Sequence, residues 1–261
     1  MRSSHLALVV LILTLPGLFL FGACAAPDSG DQPTAAIVDQ LYSLHPNPAS
    51  VNEMAQLLEG CGFKVDIYQG TQIDVKFYKD LPKYGYKLII FRAHSGRMAR
   101  REGEDILVTR TTYLFTDEEY SERKYAKEQL NDQLLMAKIT NDYPFVFAVN
   151  SKFIMESMNG RFNNTAIVMM GCSTALLEDM AVAFCLKGAS IYFGWDNLVG
   201  IEHVDEATLY LVQKLLVDKL TVDEAVGDTM AEKGRDPVFN SILKYWHRKN
   251  GDHTIQELIT G

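Results

Sequence analysis

After an unbroken apolar run from Leu6 to Gly22, hydrophobic positions fall into short blocks separated by amphipathic stretches. Ala35 to Tyr42 (AAIVDQLY) is a short apolar run ending in a polar loop with Pro46 and Pro48, the pattern of a buried strand. Val51 to Glu59 has helical periodicity that Gly60 and Gly62 stop, and Phe63 to Tyr68 (FKVDIY) alternates like a second strand. The stretch IDVKFYKDLP within Thr71 to Tyr86 predicts a short strand or bend and then a turn. Tyr86 to Ala93 (YKLIIFRA) is continuously apolar, as in a central parallel strand covered on both faces, and His94 lies at its carboxyl end.

Asp105 to Phe115 is rich in β-branched and aromatic residues and predicts a hairpin or edge extension, whereas Asp117 to Ala137 is charged and helical in pattern. Phe145 to Val149 predicts a strand and Ser151 to Met158 a helix with Ser151 as N-cap. Ala166 to Gly171 is apolar throughout, with Cys172 the first residue past it and Ser173 and Thr174 expected to cap a helix that runs to about Lys187. Ala189 to Phe193 is the next strand, Glu202 to Leu220 and Thr221 to Lys233 are long helices, and a terminal helix is expected from Asp236 onward. The alternation predicts an α/β fold: a mostly parallel sheet of about five or six strands with helices on both faces. Sites in such sheets form beyond the carboxyl ends of the strands, the edge shared by His94 and Cys172.

The amino end changes the picture of where the chain works. Arg2, the apolar run and then Ala23-Cys24-Ala25-Ala26 read as an export signal, and Phe21-Gly22-Ala23-Cys24 resembles a lipoprotein signal in which Cys24 is lipidated. The expected organisation is a signal over residues 1–24, a polar tether over 25–34 and one domain over 35–261, held outside the cytoplasmic membrane by the lipid. Removing a leader whose one charged residue is Arg2 takes the formal charge from -8 to -9, with 24 basic against 33 acidic side chains. That charge, without a Lys/Arg stripe, argues against nucleic acid as a partner. No CxxC or Cys/His spacing suggests a metal site, and Glu202, His203 and Asp205 read as charge at a helix start. Cys185 reads as a core residue. There is no GxSxG elbow, phosphate loop or dinucleotide fingerprint.

Two residues carry candidate chemistry. A cysteine nucleophile needs its thiolate, and a helix starting directly after Cys172 would lower its pKa. A partner histidine, His94, would protonate the leaving amine and later activate water. The amides of Gly96 and Cys172 would face the developing oxyanion. Packing alone is the commoner reason to bury a cysteine, and a strand-end histidine is often simply hydrogen-bonded.

The joint pattern adds to this. LIIFRAHSG, from Leu88 to Gly96, looks like the strand-plus-His-Gly motif of clan CD cysteine peptidases, the caspase, clostripain, gingipain and CHAT group. IVMMGCSTALLEDMAVAFCLKGASIYFGW, from Ile167 to Trp195, resembles the CHAT and clostripain segment of strand, nucleophilic Cys, helix, Gly-Ala strand and aromatic residue. TVDEAV, from Thr221 to Val226, is similar to a helix start near the end of such domains. Over about Ala35 to Lys233 the resemblance implies a caspase-like fold and a cofactor-free cysteine endopeptidase acting on a peptide or protein substrate. In it His94 is the general acid/base, Cys172 the nucleophile and Asp196 a possible liner of a pocket for a basic substrate residue. The chain departs from the pattern at Ser95, where the family has Gly. A reading of another class is a catalytically inactive surface protein that binds a peptide or protein partner in the same pocket.

Overall fold

The computed structural model describes residues 32–102 and 105–260, so the export signal, Cys24 and most of the tether lie outside the described residues. The chain opens with β1 (Thr34–Asp39), α1 (Pro48–Gly60), β2 (Lys64–Gln69), α2 (Val75–Asp80) and β3 (Leu88–Arg92). An insertion follows: β4 (Ser95–Glu102), β5 (Asp105–Glu119), α3 (Ala126–Leu130), β6 (Leu134–Ala137) and β7 (Val146–Asn150). Then come α4 (Ser151–Glu156), β8 (Thr165–Met170), α5 (Asp179–Leu186), β9 (Ala189–Trp195), α6 (Ile201–Leu216), α7 (Val222–Glu232), β10 (Leu243–Trp246) and α8 (Ile255–Thr260).

Six strands form the main sheet in the order β10-β9-β8-β3-β1-β2, parallel except for β10. The insertion makes a separate antiparallel sheet ordered β4-β5-β7-β6. Both faces of the main sheet are covered, and strand alternation divides its side chains between them. Ile37, Ile90, Val168 and Phe193 pack with Leu58 of α1, Leu211 of α6 and Ala225 of α7. Their neighbours Val38, Phe91, Met169 and Tyr192 pack on the other side with Phe77 of α2, Phe153 of α4 and Phe184 of α5. Leu114, Leu134, Phe147 and Val149 of the inserted sheet join that second core.

Several elements depart from the sequence reading, each for a local reason. Ile73 to Pro82 holds helix α2 instead of a strand, because the Asp74 carboxylate accepts the Phe77 N–H at 2.6 Å and starts a helix. The charged stretch from Asp117 is mostly not helical: β5 runs through it to Glu119, and only Ala126–Leu130 turn into helix before β6. Asn150, not Ser151, caps α4 through its bond from Phe153 N–H at 3.1 Å. The carboxyl end also contributes β10, a strand the helical expectation missed, and helix α8. No described helix is long and apolar enough to cross a membrane.

With the insertion set aside, strand order runs 2-1-3-4-5-6 and reverses direction of travel between β1 and β3, where a doubly wound sheet opens its crevice. A buried ion cluster closes the floor of that crevice. Arg92, 2% exposed at the end of β3, makes a two-pronged contact to Asp205 of α6 through Nε (2.8 Å) and Nη2 (3.0 Å). Its Nη1 donates to Asp39 at the end of β1 and to the His45 carbonyl, both at 2.9 Å. Asn47 adds a bond to Asp205 at 2.8 Å. Burial pushes the Asp39 carboxyl up despite Arg92 beside it. Arg92→Leu strands two buried carboxylates and is expected to cost about 3–5 kcal/mol. Urea unfolding checks this as a lowered midpoint at unchanged slope; a loss under about 1 kcal/mol would show the cluster to be dispensable.

Candidate active site

The register of β3 and β8 brings the two candidate residues to matching places. Leu88 pairs with Ala166 and each later residue in step, through Arg92 with Met170. Past these strand ends the chain runs on to His94 after β3 and to Cys172 after β8, both at the carboxyl edge of the sheet. The two segments stay in contact there, because the Ser95 hydroxyl donates to the Cys172 carbonyl at 2.8 Å. Gly171 permits this approach: a Cβ at that position would lie 2.8 Å from the Ala93 carbonyl oxygen. Cys172 continues the face of Val168 and Met170 and packs against the α1/α6 core, half-buried.

A sharp turn aims the thiol. Ser173 has a φ of 57°, in the left-handed region that costs a non-glycine residue about 1–2 kcal/mol. Three hydrogen bonds hold the turn against that cost: Ser173 N–H to the Asn197 carbonyl (2.8 Å), Thr174 hydroxyl to the Gly171 carbonyl (3.1 Å) and Ala175 N–H to the Trp195 carbonyl (2.8 Å). The segment after the turn, Ala175 to Glu178, lines a cavity of about 180 Å³ with Tyr192, Lys244 and Trp246, and Cys172 and His94 do not line it. The sequence reading expected a helix directly after Cys172. Here α5 starts at Asp179, so no helix N-terminus adjoins the sulfur. Burial instead pushes the Cys172 thiol up, aided by the charge of Asp236 and opposed by a hydrogen bond from the Val199 backbone.

His94 is held by its backbone. Its N–H donates to Gln40 Oε1 at 2.9 Å, and its carbonyl accepts from Phe115 N–H at 3.0 Å. Its ring lies edge-on to His45 at 5.7 Å and 6.2 Å from the Phe115 ring. Nε2 is buried with no hydrogen-bond partner among the described residues. Burial, reinforced by His45 and the Arg92 charge, pushes the imidazole down to about 4. At neutral pH the imidazole is therefore neutral and the thiol protonated.

The strand ladder fixes where the Gly96 amide points. Gly96 lies opposite Tyr113, and since Phe115 N–H bonds His94, ladder alternation makes Gly96 and Tyr113 the next hydrogen-bonded pair. The Gly96 amide thus faces β5, and a Cβ there would meet nothing within 4 Å, so no close approach requires the glycine. Ser95, opposite Leu114, sits at the non-bonded position between, with its N–H turned away from β5.

Asp196 is fully engaged: its carboxylate accepts Ile242 N–H at 2.9 Å and pairs with Lys244 at 3.0 Å, which pins β10 to β9. His203 stacks edge-on against Trp195 at 5.3 Å, with its Nε2 buried and unpartnered among the described residues. Cys185 is a free thiol pushed up to about 12 by burial. Among the described residues no group of three or more His, Cys, Asp or Glu is placed to hold a metal.

Sequence reasoning missed Gln40, His45 and Asp39, and read as helix-start charge Asp205, which is buried against Arg92. One signal was available, a charged Arg92 inside an apolar strand, which is tolerated only when paired. Searches of protein-family models and of curated proteins find no match for the chain.

Because the resting thiol is protonated, alkylation of Cys172 by iodoacetamide is expected to climb steadily with pH and reach half-maximum above the free-thiol range. Peptide mass mapping separates Cys172 from Cys185; a plateau already reached between pH 5 and 7 would show a thiolate and contradict this environment. Gly171→Ala is expected to lower the thermal midpoint by several degrees in calorimetry, since the Ala93 and Ser95 segment has to move.

Proposed function

We propose that the chain is a cysteine-type endopeptidase of the caspase-like kind, with Cys172 as nucleophile and His94 as general acid/base. The observation that supports this is that β3 and β8, paired in register through Arg92 and Met170, lead to His94 and Cys172 at one sheet edge, where the Ser95 hydroxyl bonds the Cys172 carbonyl. The chemistry follows from the resting protonation. Cys172 attacks a peptide carbonyl carbon while its proton passes to the neutral His94 imidazole, which only then becomes charged. His94 returns that proton to the leaving amine, and the acyl group stays on sulfur. Water then attacks the thioester with His94 as base, releasing the acid and restoring the thiol.

In the tetrahedral intermediate the Cys172 and Ser95 amides are the donors this reading assigns to the oxyanion, with Ser95 replacing Gly96. Peptide or protein is the substrate class, and the export signal at the amino end sets the work outside the cytoplasmic membrane. The raised thiol and lowered imidazole favour a second reading, a silent caspase-like surface protein that binds its partner in the same crevice.

Turnover separates the two. Fluorogenic peptides incubated with the soluble domain are expected to be cleaved, with Cys172→Ala and His94→Ala each lowering kcat by 10³-fold or more, on the order seen when a nucleophile or its base is removed. His45→Ala should retain activity. Cleavage that survives in Cys172→Ala would sink the assignment, and a complete lack of cleavage with intact peptide binding would establish the silent protein.

A further inference from the structure

Two loops beside Cys172 expose large apolar side chains that no core claims. Leu198 is 43% exposed, Val238 75% and Phe239 38%. The first loop follows β9 and touches the nucleophile directly, since the Val199 carbonyl accepts from Cys172 Sγ. The second, between α7 and β10, is stapled to the first by the buried Asp236 carboxylate. It accepts N–H groups from Gly200 (2.7 Å), Val238 (2.9 Å) and Phe239 (2.6 Å). Asn197 adds a bond to the Phe239 carbonyl at 3.0 Å. Exposed apolar side chains on loops held this firmly form a preformed rim.

Charge at the rim argues the same way. Asp196 spends its carboxylate on Ile242 and Lys244, and Asp236 spends its own on three backbone amides. Those amides hold Asp236 below its usual range although burial pushes it up. Neither acid is left to receive a basic substrate residue. The exposed cation on the second loop is Arg235, bonded to the Asn240 carbonyl, and it would repel one.

We infer that Leu198, Val238 and Phe239 form the specificity rim of this site and select a bulky apolar side chain on the residue whose carbonyl Cys172 attacks. This rests on the peptidase reading and adds the substrate class to it.

Two measurements made together test it and keep the two ideas apart. In the first, wild type digests a denatured protein and the cleavage sites are mapped by mass spectrometry, with Cys172→Ala as blank. In the second, fluorescein-labelled peptides that differ at one residue, Leu or Phe against Lys or Asp, are bound to Cys172→Ala and followed by polarisation. The expected result is cleavage after Leu, Phe or Met, with tighter binding of the Leu and Phe peptides. Leu198→Ser, Val238→Ser and Phe239→Ser, all surface changes, should each weaken that binding about tenfold, the scale of a lost apolar contact, while Asp196→Asn leaves the preference unchanged. Cysteine-dependent cleavage with no apolar preference would overturn the rim and keep the peptidase. Apolar-selective binding without cleavage would keep the rim and overturn the peptidase. Binding indifferent to the varied residue, without cleavage, would overturn both.

Discussion

The rest of the site depends on one buried cation. Arg92 ends a strand whose other residues are apolar, and it spans from Asp39 on β1 to Asp205 on α6. Three elements far apart in sequence are thereby fixed at the floor of the crevice, two residues short of His94. A hydrophobic contact could bind these elements as tightly but would not set their direction, since packing tolerates sliding and a two-pronged guanidinium contact does not. The bond from Gln40, the residue after Asp39, to the His94 amide carries that fixed geometry up to the imidazole.

The fold was legible wherever a segment was buried on both faces. Ala35 to Tyr42, Tyr86 to Ala93, Ala166 to Gly171 and Ala189 to Phe193 all read as core strands and each contains one, though the first passes into a 3-10 turn at Gln40, because burial writes itself as an apolar run. The half-exposed elements were not: α2, β6 and β10 depend on a single cap or on tertiary pairing that leaves little periodicity. The placement of His94 and Cys172 followed from the strand ends. What surrounds them did not, because the turn at Ser173 and the delayed start of α5 come from bonds to Asn197 and Trp195, which only the folded chain supplies.

The electrostatic setting gives this pair its character. The site lacks a helix dipole at the sulfur and surrounds the imidazole with another histidine, a buried arginine and an aromatic ring. Every one of those neighbours disfavours separated charge in the resting state. In the proposed chemistry the charge appears only when a substrate carbonyl is present to receive the electron pair, and the Ser95 and Cys172 amides then answer it.

The insertion between β3 and β8 has a consequence for how the chain acquires this site. The two strands pair residues 78 positions apart, as Arg92 with Met170. A whole antiparallel sheet, joined by its own hairpin, lies between them and is local enough to form on its own schedule. Closing the long loop is paid in chain entropy before any contact across it is rewarded, so β3–β8 pairing belongs among the slow, late events of folding. A nascent chain therefore holds its histidine and its cysteine in separate, unassembled pieces.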